Sequence, residues 1–129
     1  MDTKLLMIFS AAVMALIGLT LQFLPHELLT YIGASSDGPT LVMMQITGAL
    51  YLGFAMTNWM AKAVLIGGIY ARPLAIGNLA HFAIGALALI KYALSVDFSP
   101  AVWILATVYS IFALLFGIVF TTHPKQVRS

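Results

Sequence analysis

The chain has 129 residues, 62% of them hydrophobic and only 8% charged, whereas soluble proteins carry roughly a quarter charged residues. A water-soluble domain of this length cannot cover so much apolar surface, so the composition predicts an integral membrane protein with one domain over residues 1–129. The formal net charge of +2 is scattered, which excludes a nucleic-acid footprint, and the absence of cysteine excludes disulfides, thiolate metal sites and thiol redox chemistry.

The first apolar run, Leu5 to Leu24, follows Lys4 and stops at Pro25. At about 20 residues it measures about 30 Å as a helix, enough to cross a bilayer. A cleaved leader with Ile32-Gly33-Ala34 as its processing site is the alternative, but leaders have shorter apolar runs of about 7–15 residues, so a retained span is expected. After Pro25, "HELLTYIG" from His26 to Gly33 mixes Leu28, Leu29 and Ile32 with polar neighbours, the pattern of a short interfacial helix or, equally, of a partly buried ordered loop.

The turn residues "SSDGP", Ser35 to Pro39, precede a second span from Leu41 to Met60. "KAVLIGGIYARP", Lys62 to Pro73, then reads as a second interfacial segment, with Gly67-Gly68 as a flexible point and Tyr70 as a headgroup anchor, or equally as a partly buried ordered loop. A third span runs from Leu74 to Leu94 and, after "VDFSP", a fourth from Ala101 to Thr121. The fold expected is all-α, a four-helix transmembrane bundle. No internal repeat is visible, which argues against an inverted-repeat transporter.

Basic residues orient the chain. Lys4, Lys62, Arg72, Lys125 and Arg128 fall at the start, in the second loop and in the tail, whereas the first loop holds Glu27 and Asp37 without Lys or Arg. By the positive-inside rule both N and C termini are cytoplasmic, and the expected location is a bacterial inner (plasma) membrane. Lys91, near the outer end of the third span, is the exception and can snorkel to the interface.

On a helical wheel the third span places Leu74, Gly77, Asn78, His81, Gly85, Ala88 and Tyr92 on one face and Ile76, Leu79, Ala83, Leu87, Ile90 and Leu94 on the other. The first face is expected to meet protein and the second lipid. Small residues mark packing seams elsewhere: Ala49, Gly53 and Thr57 in the second span, and Ala106, Ser110, Ala113 and Gly117 in the fourth.

The candidate ligand-binding residues are His81, Asn78, Tyr51, Tyr109 and Asn58. His81 lies about 4.5 Å on the cytoplasmic side of the third span's centre at Ile84, level with Tyr51 and Tyr109, and Asn78 and Asn58 form a second layer nearer the cytoplasm. A buried tyrosine hydroxyl needs a partner, and an imidazole can accept from one neighbour while donating to another. The bland alternative for each is interhelical hydrogen bonding or a satisfied core position. Trp59 and Tyr70 fit an aromatic belt at the cytoplasmic interface.

Several chemistries are excluded. No Asp or Glu lies within a span, so a carboxylate proton relay is not expected. There is no HExxH pattern, catalytic triad or glycine-rich phosphate loop, and neither metal nor cofactor is expected. A haem held by two histidines would require a dimer sharing two copies of His81, because His26 and His123 lie outside the spans.

"MQITGALYLGFAMTNWMAKA", Met44 to Ala63, and "YARPLAIGNLAHFAIGALALI", ending at Ile90, resemble small bacterial four-helix membrane proteins of unknown function and, more distantly, DoxX-like proteins. The shared pattern is a glycine- and alanine-rich second span, a basic loop and a third span opening with Arg-Pro. DoxX-like relatives are associated with membrane oxidoreductases and quinol oxidation, which is what the resemblance implies; it carries no catalytic residue across.

The expected function is that of a small non-enzymatic membrane subunit, packed in a homo-oligomer or a larger membrane complex with the lipid bilayer around it. The alternative is a binder or carrier of a small hydrophobic molecule, quinone-like, near His81. A membrane enzyme comes third.

Overall fold

The computed structural model describes residues 3–63 and 71–122, all helix, turn or loop without a strand among them. Among the described residues five helices follow one another: α1 (Thr3–Phe23), α2 (Pro25–Ile32), α3 (Gly38–Ala61), α4 (Arg72–Ser95) and α5 (Pro100–Thr121). All but α2 are long and apolar enough to cross a membrane. Their boundaries lie within three residues of those expected from hydropathy. The segment after Pro25 forms the short helix its pattern suggests; the Gly67-Gly68 point and Tyr70 lie outside the described residues.

Proline sets the helix starts. Pro25 and Pro100 occupy the first position of α2 and α5, and Pro39 and Pro73 the second position of α3 and α4. At these positions the missing N–H has no intrahelical partner to lose and φ is already helical. The same ring pushes the preceding residue out of the helical region, and Leu24, at φ −123° and ψ 38°, breaks α1 from α2.

Caps complete the punctuation. Asp37 accepts the Thr40 amide at 2.8 Å and the Ser35 hydroxyl at 3.0 Å, capping α3. The Thr40 amide bond, followed by the Thr40 and Ser35 side-chain contacts, holds the carboxyl of Asp37 below its ordinary pKa of 3.8. At the other end of α2, Gly33 adopts φ +70°, and the amides of Gly33 and Ala34 reach back to the Thr30 and Leu29 carbonyls at 3.2 and 2.9 Å. This is a Schellman closure, for which glycine carries no Cβ penalty.

The chain divides into two compact units, Met1–Ala63 and Val64–Ser129. In the first, α1 and α3 run antiparallel, with α2 against both. Their backbones meet at Gly18 and Gly48. A Cβ on Gly18 would lie 3.0 Å from the Gly48 oxygen, and one on Gly48 would lie 3.0 Å from the Gly18 oxygen and from the Gln22 nitrogen. Such close approach brings dispersion contacts where lipid supplies no hydrophobic drive.

The contact face of α3 therefore differs from the one expected. Gly48, Ala55 and Asn58 are buried, whereas Ala49, Gly53 and Thr57 are exposed. Two small-residue stripes lie side by side on this helix, and Gly18 selects the one on which backbone can meet backbone.

In the second unit α4 and α5 are antiparallel and joined by the short connection after Ser95. Their core is aromatic. Phe82 stacks on Phe112 at 4.8 Å and on Phe116 at 5.8 Å between ring centroids, and its edge meets Tyr109 at 5.2 Å.

This corrects the expected faces. On α4 the fully buried line is Ala75, Asn78, Phe82, Ala86 and Ala93, while Ala88 and Tyr92 are exposed. On α5 it is Ala106, Tyr109, Phe112, Phe116 and Val119, with Ser110, Ala113 and Gly117 only half-buried. Each helix is rotated by about one residue from the wheel's assignment. A wheel ranked by polarity and size overlooks Phe82, whose ring fills the space that small residues leave.

Helix surfaces are apolar almost all round. Leu16 is 69% exposed, Leu87 69% and Leu114 70%, a lining suited to acyl chains and costly in water. Hydroxyls on these surfaces bond inward: Thr20, Thr47, Thr57, Thr107 and Thr121 each donate to the carbonyl four residues back at 2.8–3.0 Å. No lipid-facing polar hydrogen of these side chains is then left without an acceptor.

Candidate functional site

In the second unit Gly85 decides the geometry. With only hydrogen on its Cα, the Tyr109 ring lies directly against the α4 backbone; a Cβ there would come 2.6 Å from Tyr109 Cε1. So placed, Tyr109 reaches back towards His81. Its hydroxyl lies 3.5 Å from His81 Nε2, a long contact whose donor follows the imidazole tautomer, and the two ring centroids are 5.6 Å apart. Phe82 closes the other side, its ring edge-on to the imidazole at 5.1 Å. Tyr109 is buried and His81 half-buried.

One turn below, Asn78 is fully buried and its amide donates to the Leu74 carbonyl at 3.0 Å. This bond stays within α4. The pairing of His81 with Tyr109 expected from depth is present, and Gly85 supplies the close approach that its place on the wheel suggested.

The first unit holds a separate polar cluster. Asn58, fully buried on α3, donates through Nδ2 to Ser10 Oγ at 3.0 Å and lies 3.7 Å from the Met14 sulfur. Ser10 passes its own proton to the Met7 carbonyl at 3.0 Å. The cluster ties α3 to α1 across the helix interface. Tyr51, half-buried, also belongs to α3. The five candidates thus divide as Tyr51 and Asn58 in one unit and Asn78, His81 and Tyr109 in the other.

Sequence reasoning missed Ser10. A signal was present, since it is the one polar side chain between Lys4 and Thr20. It also missed Phe82, for which a helix apolar on every face offers no signal.

Among the described residues, no buried side-chain nitrogen or oxygen lacks a hydrogen-bond partner, and no group of three or more His, Cys, Asp and Glu gathers in one place. Of the bonds described, Asn58–Ser10 joins α3 to α1 and the His81–Tyr109 contact joins α4 to α5, whereas the Asn78–Leu74 bond stays within its own helix. Comparisons of the chain with protein-family models, curated proteins and solved structures give no match. The functional reading therefore rests on the residues themselves.

Proposed function

We propose that this protein is a multi-pass protein of the bacterial inner membrane, with both termini in the cytoplasm, that serves as a non-enzymatic subunit or assembly component of a membrane complex, either homo-oligomeric or larger. The observation that supports it is the outer face of α3. Ala49, Gly53 and Thr57 line an open apolar groove of about 560 Å³ with Ile46, Leu50 and Phe54 along its sides. A Cβ added to Gly53 meets nothing within 4 Å. The Thr57 hydroxyl is already bonded to the Gly53 carbonyl at 2.9 Å, so the face can enter a dry helix interface without losing a hydrogen bond to water.

Mild detergent extraction from the native membrane, followed by native mass spectrometry, tests this reading. Wild-type protein is expected to carry partner chains or further copies of itself. Gly53→Leu, which fills the groove without touching the Gly18–Gly48 seam, is expected to release them at unchanged thermal stability. An identical monomer from both proteins overturns the proposal. A reporter fused after Ser129 reads the orientation and is expected to respond as cytoplasmic.

A second reading is favoured by the His81–Tyr109 pair. A half-buried imidazole beside a phenol, framed by Phe82, offers donor and acceptor positions suited to a quinone-like molecule. The DoxX-like resemblance points the same way. Loss of a co-purifying lipid-soluble molecule from His81→Phe at unchanged stability supports it; unchanged co-purification opposes it.

A further inference from the structure

Within the first unit a second groove, of about 460 Å³, runs between α1 and α3. Ala11, Ala12, Ala15 and Ala55 form its floor, and Met56 and Trp59 stand at its side. It extends over the two turns from Leu52 to Trp59, about 10 Å along the helix. Its walls are almost wholly apolar, and the four alanines make it a channel between larger side chains.

At its end the chemistry changes. The Lys62 backbone amide reaches back to the Trp59 carbonyl at 3.4 Å, tightening the last turn of α3, and the Lys62 ammonium lies 3.2 Å over the Trp59 ring centroid. The cation is thus held at the mouth of the groove, with N–H donors still available beyond the ring face. The antiparallel pairing that sets Ser10 against Asn58 brings Lys4 to this same end. The described acids of the unit, Glu27 in α2 and Asp37 at the start of α3, lie at the opposite end. Among the described residues, Lys4 and Lys62 thus mark one end of the unit and Glu27 and Asp37 the other.

We infer that this groove holds one anionic phospholipid, with an acyl chain over the alanine floor and the phosphate at Lys62. Charge complementarity separates this occupant from a second copy of the chain. A second copy packed into this groove in the same orientation brings another Lys4 and Lys62, and no described acid, to its mouth. A phosphate neutralises that end while its acyl chain covers the channel.

The test titrates the full-length protein in detergent with phosphatidylglycerol or phosphatidylcholine of identical acyl chains, read by native mass spectrometry. Phosphatidylglycerol is expected to bind about five-fold more tightly, the preference that one lysine at an anionic headgroup supplies. Lys62→Gln is expected to reduce both lipids to equal affinity. Ala12→Phe, which fills the channel from an exposed position, is expected to weaken both, and thermal unfolding in detergent shows that each variant is folded. Equal binding of the two lipids by wild type, or a preference that persists in Lys62→Gln, overturns the inference. Displacement of the lipid by glycerol phosphate at equal concentration overturns the acyl-chain part, because a free headgroup then suffices.

Discussion

The ring of Tyr109 rests on Gly85, so closely that a methyl group on that glycine would come 2.6 Å from Tyr109 Cε1. The contact sets the spacing of α4 and α5 at the level of His81, and with it the 3.5 Å separation of the Tyr109 hydroxyl from the imidazole. Gly85→Ala is expected to destabilise the second unit by about 1–3 kcal/mol, the usual effect of overpacking a tight contact. Tyr109→Phe, which keeps the ring against Gly85 and removes the hydroxyl, is expected to change the melting temperature far less. Thermal unfolding of both variants in detergent checks the order.

The Gly18–Gly48 seam predicts an asymmetry between two glycines of one helix. Gly48→Val forces apart the backbones of α1 and α3 and is expected to cost about 1–3 kcal/mol. Gly53→Ala places its methyl in open space, and relief of the glycine helix penalty is expected to leave stability unchanged or raise it by up to about 1 kcal/mol. Equal losses at the two positions would contradict the assignment of the seam.

Asn58 and Ser10 are expected to be energetically coupled. A double-mutant cycle with Asn58→Ala and Ser10→Ala should return a coupling energy of about 0.6 kcal/mol, the average for hydrogen bonds between transmembrane helices, and at most about 1.7 kcal/mol. Strict additivity would mean that the 3.0 Å bond contributes nothing to the pairing of α1 and α3.

The cap on α3 predicts a pH dependence with a definite sign. Because the fold lowers the pKa of Asp37, chiefly through the Thr40 amide, its stabilising effect is present above the ordinary value of 3.8 and fades as pH falls below it towards the lower folded value. The difference in melting temperature between wild type and Asp37→Ala is accordingly expected to be largest near neutral pH and to shrink on acidification below 3.8. Asp37→Asn, which keeps an acceptor for the Thr40 amide but does not titrate, should cap α3 without that dependence.

Much of the architecture is legible in local pattern. The four long helices follow from runs of about 20 apolar residues, and the helix starts follow from Pro25, Pro39, Pro73 and Pro100. The short helix after Pro25 was less legible, since a mixture of leucines and polar residues over eight positions fits an ordered loop as well as a helix. Of the candidate site, the meeting of His81 and Tyr109 was legible because both lie near the middle of antiparallel neighbours. The participation of Met14 and Phe82 was not, since neither differs enough from its apolar surroundings to be singled out, whereas Ser10, the one polar side chain between Lys4 and Thr20, did carry a signal.

The sequence by itself determined the class of element and its solvent: composition and run length leave a helix long enough to cross lipid, and Pro, Gly and Asp place its ends. Only the tertiary structure decided which face of each helix is inside. A helix apolar on every side carries almost no amphipathic signal, and two neighbouring stripes of small residues are equivalent until a partner chooses between them. Gly18 chose Gly48 over Gly53, and Phe82, stacked on Phe112 and Phe116, turned α4 by about one residue from its expected face. Inside a membrane such choices are made by close packing, which depends on the shapes of two surfaces together and is written in neither strand of sequence alone.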